Sequence, residues 1–171
     1  MRMKSKKEME CSNCGSMAKV TSGSYQFKEC GLKNVVLVGI DRIVCTACGN
    51  VDPIIPQINE LMGVLAVAII SQPYRLRGED VRFLRKFIGK NGKEFCELLH
   101  VDRATLSKWE NNEDPIGASN DRLVRAITLA LGDGLEKRLE AVVKHVFPNI
   151  AEGTSPQEIE IDTDNMSYQY A

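Results

Sequence analysis

The sequence predicts two small domains in series: a β-rich unit at the N-terminus and an all-α bundle of five helices after it. Three observations carry this fold class. Five of the six cysteines lie between residues 11 and 52, among turn residues and two strand-like runs. Beyond Gly78 the texture changes to one short amphipathic helix after another. Between the two, Leu61 to Ile70 is apolar on nearly every face, which marks a helix that must be covered all round.

Composition sets the outer limits. With 171 residues, 22 Lys and Arg against 23 Asp and Glu, and 43% hydrophobic residues, the chain is ordinary for a globular protein. Collagen-like, coiled-coil and wholly disordered classes are excluded. The near-neutral charge is uneven. Residues 151–171 hold five acids and no Lys or Arg, so the remainder carries about +4, a balance compatible with a polyanionic partner. The charged start, Met1 to Glu10, has no apolar stretch behind it, so it does not read as a secretory signal and implies a cytoplasmic location. Thiols stay reduced there, so the cysteines read as metal ligands, catalytic groups or small buried hydrophobes rather than disulfides. The longest apolar run is about half the roughly 20 residues a membrane-spanning helix needs, so no membrane is implied.

Taken in order, residues 1–53 are expected to form a zinc-ribbon domain with a basic N-terminal arm. Its strands are read at Ser24 to Cys30 and Val35 to Cys45, and Asp52-Pro53 and Ile55-Pro56 end the β pattern. A segment this poor in core-forming side chains needs a staple, which zinc would supply. Residues 54–76 form an apolar connecting helix from Pro56 to Gln72, stopped by Pro73. It is either sandwiched between elements, packed on a second copy, or docked to a partner. Residues 77–150 hold helices at about 78–88, 92–99, 103–110, 119–131 and 134–147. In the last of these Leu135, Leu139, Val142, Val143 and Val146 share one stripe and close the core, before Pro148 stops it. The acidic residues 151–171 have few large apolar side chains and are expected to be disordered.

Cys11-Ser12-Asn13-Cys14-Gly15 and Cys45-Thr46-Ala47-Cys48-Gly49 are two CxxC knuckles separated by 30 residues. A spacing of two lets a tight turn aim both thiolates at one ion, and two such turns complete a tetrahedral shell. The glycine after each pair relieves the backbone where amides crowd toward sulfur. Four protein ligands leave no place for a catalytic water, so Cys11, Cys14, Cys45 and Cys48 read as the ligands of one structural Zn2+ per chain. The competing chemistry, a redox CxxC, needs a βαβ setting that is missing here. Cys30 lies between the knuckles and either packs at a strand end or substitutes for one of their members. Cys96 belongs to an apolar helix face.

Lys93 to Asn111 reads as two short helices with a three-residue joint at His100 to Asp102. Phe95, Cys96, Leu99, Val101, Leu106 and Trp109 form their shared core, and Asp102 caps the second helix. What stays exposed on that second helix is Arg103, Ala104, Thr105, Ser107 and Lys108, a polar-headed rod of a width that fits the major groove. Lys90, Lys93 and Asn111 sit at the ends of neighbouring elements, where phosphate contacts set register.

Residues 79–131, from Glu79-Asp80-Val81-Arg82-Phe83-Leu84-Arg85-Lys86 to the segment closed by Leu106-Ser107-Lys108-Trp109-Glu110-Asn111, resemble a helix-turn-helix of the Xre/Cro type. Joined to the double CxxC, they resemble the MqsA (YgiT-type) family over roughly residues 11–131. The resemblance implies an N-terminal zinc ribbon and a C-terminal Xre domain that dimerises on palindromic operator DNA. In antitoxin members it also implies a zinc domain that holds an RNA-cleaving toxin. It puts Arg103, Ala104, Thr105 and Lys108 at base-facing positions and Asn111 at a phosphate-facing one. Gly92 stands where such domains commonly carry a backbone-gripping Gln, His100 where Gly is usual in the turn, and Cys96 in place of a small Ala.

The sequence therefore reads as a zinc-stabilised, sequence-specific DNA-binding transcriptional regulator, a dimeric antitoxin-like repressor. Its partners are double-stranded DNA, a second copy of itself and a toxin protein. One helix in one groove reads too few base pairs to be selective, so a two-fold dimer is expected. The alternative is a toxin-neutralising interaction module with secondary DNA binding. No Ser-His-Asp set, phosphate loop or open metal site is present in the sequence, so it does not read as an enzyme, and no small-molecule substrate is inferred. The Pro56 to Gln72 helix is read as dimer seam or toxin-facing surface.

Overall fold

A computed structural model describes residues 8–55, 57–153 and 157–171. Residues 1–7 of the expected N-terminal arm and Pro56, the expected first residue of the apolar helix, lie outside the described residues. Strands β1 (Glu8–Glu10), β2 (Met17–Gln26), β3 (Val35–Val44), β4 (Val51–Pro53), β5 (Ile159–Asp162) and β6 (Ser167–Tyr170) form one sheet in the order β1-β2-β3-β5-β6, with β4 also on β3. β2 and β3 are an antiparallel pair from Lys19↔Val44 to Gln26↔Val36, shifting register between Gly23 and Tyr25. One edge of β3 is divided. Its end, Arg42 to Val44, pairs with β4, and its start, Val35 to Val38, takes β5 in parallel.

The strands depart from expectation in two places. The first long strand begins at Met17 and ends at Gln26, and Lys28–Cys30 form a 3-10 turn. Only Ala18 of β2 is fully buried, so its solvated faces impose no alternation from which the start could be read. Asp52-Pro53 does not end the β pattern. It lies in β4, where Pro53 closes the last pair with Arg42 at a strand end, a position where a missing N–H is tolerated.

Within the acidic tail, Ile159–Asp162 and Ser167–Tyr170 are strands, contrary to the disorder its composition suggests. Ile159 and Ile161 are fully buried and alternate with Glu160 and Asp162, which remain partly exposed. The period of two lets a strand bury its apolar side while its acids face water. Asn34 Nδ2 donates to Gln157 O, and Asp162 Oδ1 accepts from the Asp164 and Asn165 amides in the turn to β6.

Among the described residues, six α-helices follow the N-terminal β-rich region: α1 (Ile58–Ser71), α2 (Gly78–Phe87), α3 (Gly92–Leu99), α4 (Arg103–Glu110), α5 (Ala118–Leu131) and the single turn α6 (Leu139–Ala141). The fold is thus mixed α and β. α2 to α5 lie close to the positions read from the sequence. The regular helix expected at 134–147 is absent. A 3-10 turn (Glu136–Arg138), α6, a π-helical turn (Val142–Val146) and another 3-10 turn (Phe147–Asn149) replace it. Changing turn geometry rotates the stripe: Leu135 and Val142 are buried, Leu139 and Val146 half-buried, and Val143 faces outward.

The tail also answers what covers α1. Leu61, Leu65 and Ala66 to Ile70 are buried within the chain, against α2 and the β5–β6 hairpin, and Tyr170 Oη donates to Ala68 O at 2.6 Å. Most of that helix is therefore sandwiched between elements of its own chain, one of the three covers expected for it, while Ile58 at its start is exposed and Met62 and Val64 are half-buried. One continuous apolar core runs from Phe27 to Ile161 across the expected boundaries at 53 and 76, while the knuckle end has a small cluster of its own, Cys11, Ala18 and Cys45. At the centre, fully buried Arg125 donates to Asp121 Oδ1 (2.9 Å) and to the carbonyls of Ile70, Gln72 and Tyr74, satisfying the C-terminal end of α1. Asp121 Oδ2 also accepts the Leu76 amide. No described helix is long and apolar enough to cross a membrane.

Candidate functional site

The two knuckles are built alike. The Gly15 amide donates to Cys11 O and the Gly49 amide to Cys45 O, both at 2.9 Å, with φ of 72° and 75° at the two glycines. A Cβ at either φ would be strained, which accounts for glycine after each CxxC. The Cys11 amide donates to Ser16 O, and the Cys45 amide to Asn50 O, closing each loop.

The sheet brings the loops together, because β2 leaves the first knuckle and pairs with β3, which enters the second. All four sulfurs of Cys11, Cys14, Cys45 and Cys48 lie within 4.8 Å of one another. Sγ–Sγ distances are 3.6 Å for Cys11–Cys48 and for Cys14–Cys45. A tetrahedron with metal–sulfur bonds of about 2.3 Å has edges of about 3.8 Å, so this spacing suits one four-coordinate ion. Cys11 and Cys45 are buried, and Cys14 and Cys48 face solvent. The fifth thiol stays apart: Cys30 donates to Phe27 O at 2.9 Å, and burial raises its pKa. Cys96 is buried in the core, as expected.

The thiols differ in acidity. Hydrogen bonds from the Ser16 hydroxyl and amide lower Cys14 to about 6. The amides of Cys14 and Asn13 lower Cys11. At Cys45 the Cys48 amide also pulls downward, but burial and the thiols of Cys14 and Cys48 outweigh it, and the group rises to about 11. Four sulfurs this close cannot all carry charge without a cation among them. Uptake of an ion therefore expels protons and is favoured as pH rises.

The second group of expected residues lies on α3 and α4. The helices are joined by His100-Val101-Asp102, with His100 in the left-handed region at φ 55°. Phe95, Cys96, Leu99, Leu106 and Trp109 are buried between the helices and their neighbours, and Val101 packs against them. Asp102 caps α4 by accepting from the Thr105 amide at 2.8 Å, and that amide with the Thr105 hydroxyl lowers the pKa of its carboxyl.

Arg103, Ala104, Ser107, Lys108 and Asn111 are exposed, at the i, i+1, i+4, i+5 and i+8 spacing of one helix face. Thr105 departs from this set. It is half-buried, and its hydroxyl is taken up by Asp102. Lys93 and Arg103 line the same open hollow of about 410 Å³ at the joint. Lys90 is only partly exposed, and its carbonyl accepts from Arg85. Lys108 pairs with Asp114 at 3.4 Å across exposed surface, a contact worth little in water.

Sequence reasoning missed the arginines behind this face. Arg85 Nε donates to Glu110 Oε1 at 2.6 Å, and Arg82 donates to Glu110 O and Asn111 Oδ1. Together they fasten α2 to the end of α4 and hold the Asn111 side chain. The i, i+3 spacing of the two arginines is a legible signal, but their partner lies 25 residues or more away. Gly78 is needed at the same contact, because a Cβ there would collide with the Trp109 carbonyl. Compared with family models, with curated proteins and with solved structures, the chain matches none.

Proposed function

We propose that this protein is a zinc-stabilised, sequence-specific DNA-binding transcriptional regulator, acting as a dimeric antitoxin-like repressor. The observation that carries the reading is the α3–joint–α4 unit: an apolar core packs the two short helices together and leaves one polar, cation-bearing face on α4. A rigid helix with Arg103 and Lys108 near its ends suits the major groove, where Arg meets guanine N7 and O6. Lys93 and Asn111 would touch phosphates at the two ends of the helix, and Lys90 would do so from the α2–α3 loop. In this helix-turn-helix reading Thr105 acts through the cap rather than through a base.

Zinc suits the tetrathiolate because four soft sulfur ligands in a tetrahedron are its usual structural site, and a filled shell leaves it no catalytic role. α5 supports the dimer. It buries Asp121 and Arg125 with Thr128, leaves Arg122 half-buried, and sets Leu123, Ala130 and Leu131 outward beside half-buried Ala126 and Ile127. Leu131 is 51% exposed. Leu123, Ile127 and Leu131 are symmetric about Ile127, so two antiparallel copies would match Leu123 of each to Leu131 of the other, as a two-fold contact requires.

A second reading, a toxin-neutralising module with the ribbon as the docking lobe, is favoured by Met9 and by Met17, which is 60% exposed beside the metal centre. Co-purification of a basic ribonuclease with the intact chain would support it.

Arg103→Ala tests the main reading. It is expected to weaken binding to a selected operator by about 1–3 kcal/mol and to relax sequence preference, with melting unchanged because the side chain is exposed. A gel shift in which this variant binds as tightly and selectively as wild type removes α4 from base recognition.

A further inference from the structure

The two knuckles share a backbone but not their surroundings. The first lies toward an outer edge of the sheet and is held from its N-terminal side by β1, a strand of only three residues. The second is secured by β3 and β4, which are paired to each other. Side chains from the second knuckle's exit reach across to the first. Asn50 Nδ2 lies 2.8 Å from Asp52 Oδ2, 3.2 Å from Ser12 Oγ and 4.0 Å from Cys11 Sγ. Ser12 Oγ donates to Asp52 Oδ2 at 2.5 Å. The exit of the first knuckle offers no matching pair of polar side chains. The equivalent of Asn50 there is Ser16, which serves Cys14 of its own loop, and the equivalent of Asp52 is the buried Ala18.

We propose that Asn50 and Asp52 are positioning residues for the metal centre: a polar clasp that holds the first knuckle against the second and sets how slowly the ion leaves. The inference rests on the tetrathiolate reading above. Asp52 anchors Ser12, the residue next to Cys11, through a charge-assisted hydrogen bond, and Asn50 presents an N–H to the Cys11 sulfur itself. A donor at a thiolate draws off part of its charge and fixes its direction, as groups around metal ligands generally do. Without the clasp, the four sulfurs remain, but the knuckle carrying Cys11 and Cys14 is free to swing outward, and ligand loss begins on that side.

The test loads the full chain with Co2+ and follows its release to a chelator by the charge-transfer and d–d absorption of the ion. Wild type is expected to hold one Co2+ with a tetrahedral tetrathiolate spectrum. Asp52→Ala and Asn50→Ala should keep that stoichiometry and spectrum but release the ion about 10- to 100-fold faster. Asp52→Asn, which retains an oxygen acceptor, should recover most of the loss, and Thr46→Ala in the other knuckle should change nothing. Release at the wild-type rate from both alanine variants overturns the clasp and leaves the metal centre standing. A wild-type chain that takes up no Co2+ overturns the metal centre and the clasp with it.

Discussion

Deleting residues 157–171 is expected to destabilise the whole chain, far beyond the trimming of a solvated tail. The segment supplies Ile159 and Ile161, both fully buried, and each is worth about 1.5–3 kcal/mol of apolar burial. It also covers α1, whose Leu65, Ala66, Ala68, Ile69 and Ile70 have no exposed surface in the intact fold. Tyr170 gives its hydroxyl to Ala68 O, and β5 completes the Val35 to Val38 half of β3. The sum is comparable with the total stability of an ordinary domain, about 5–15 kcal/mol. The truncated chain should unfold at much lower urea, bind an apolar dye in its absence, and regain its midpoint when the 15-residue segment is restored. A truncated chain with the wild-type urea midpoint would mean that β5 and β6 contribute nothing to the core.

Arg125→Met is the second large effect. The substitution keeps much of the volume, so what it removes is chiefly charge and hydrogen bonding. Asp121 is left as a buried carboxylate without its cation, and the carbonyls of Ile70, Gln72 and Tyr74 lose their shared donor. Breaking one side of such a pair costs about 3–5 kcal/mol. For a chain of this size that lowers the melting temperature by about 6–20 °C. Because Arg125 ties the end of α1 to α5, the loss should appear as one cooperative transition at lower temperature. Melting within a degree or two of wild type would show that the network adds no net stability.

Much of this was legible in the residues. The CxxC-Gly knuckles named the four sulfurs, because a local turn with a required left-handed glycine is set by adjacent residues. The α3–α4 pair was readable for the same reason, since Asp102, His100 and the burial of Phe95 and Trp109 are short-range patterns. The tail was not. Its acidity suggested solvation, while four residues of alternation, Ile159 to Asp162, form too short a signal to announce a strand whose partner lies more than 120 residues upstream. The apolar helix α1 showed that a cover was needed without showing which segment supplies it. Arg82 and Arg85 escaped notice because an exposed arginine and one clamped on Glu110 look alike until α2 and α4 are packed. Asn50 and Asp52 escaped because their target is the other knuckle, brought near only by the pairing of β3 with β2 and β4.

The central claim is that α4 reads duplex DNA, and capture of genomic duplex fragments by the purified, metal-loaded chain tests it most directly. The account predicts enrichment of one recurrent two-part site, its halves about 10 base pairs apart or a multiple of that, with retention falling steeply as salt is raised. A chain that retains no duplex of any sequence at low ionic strength, or retains all equally, contradicts it.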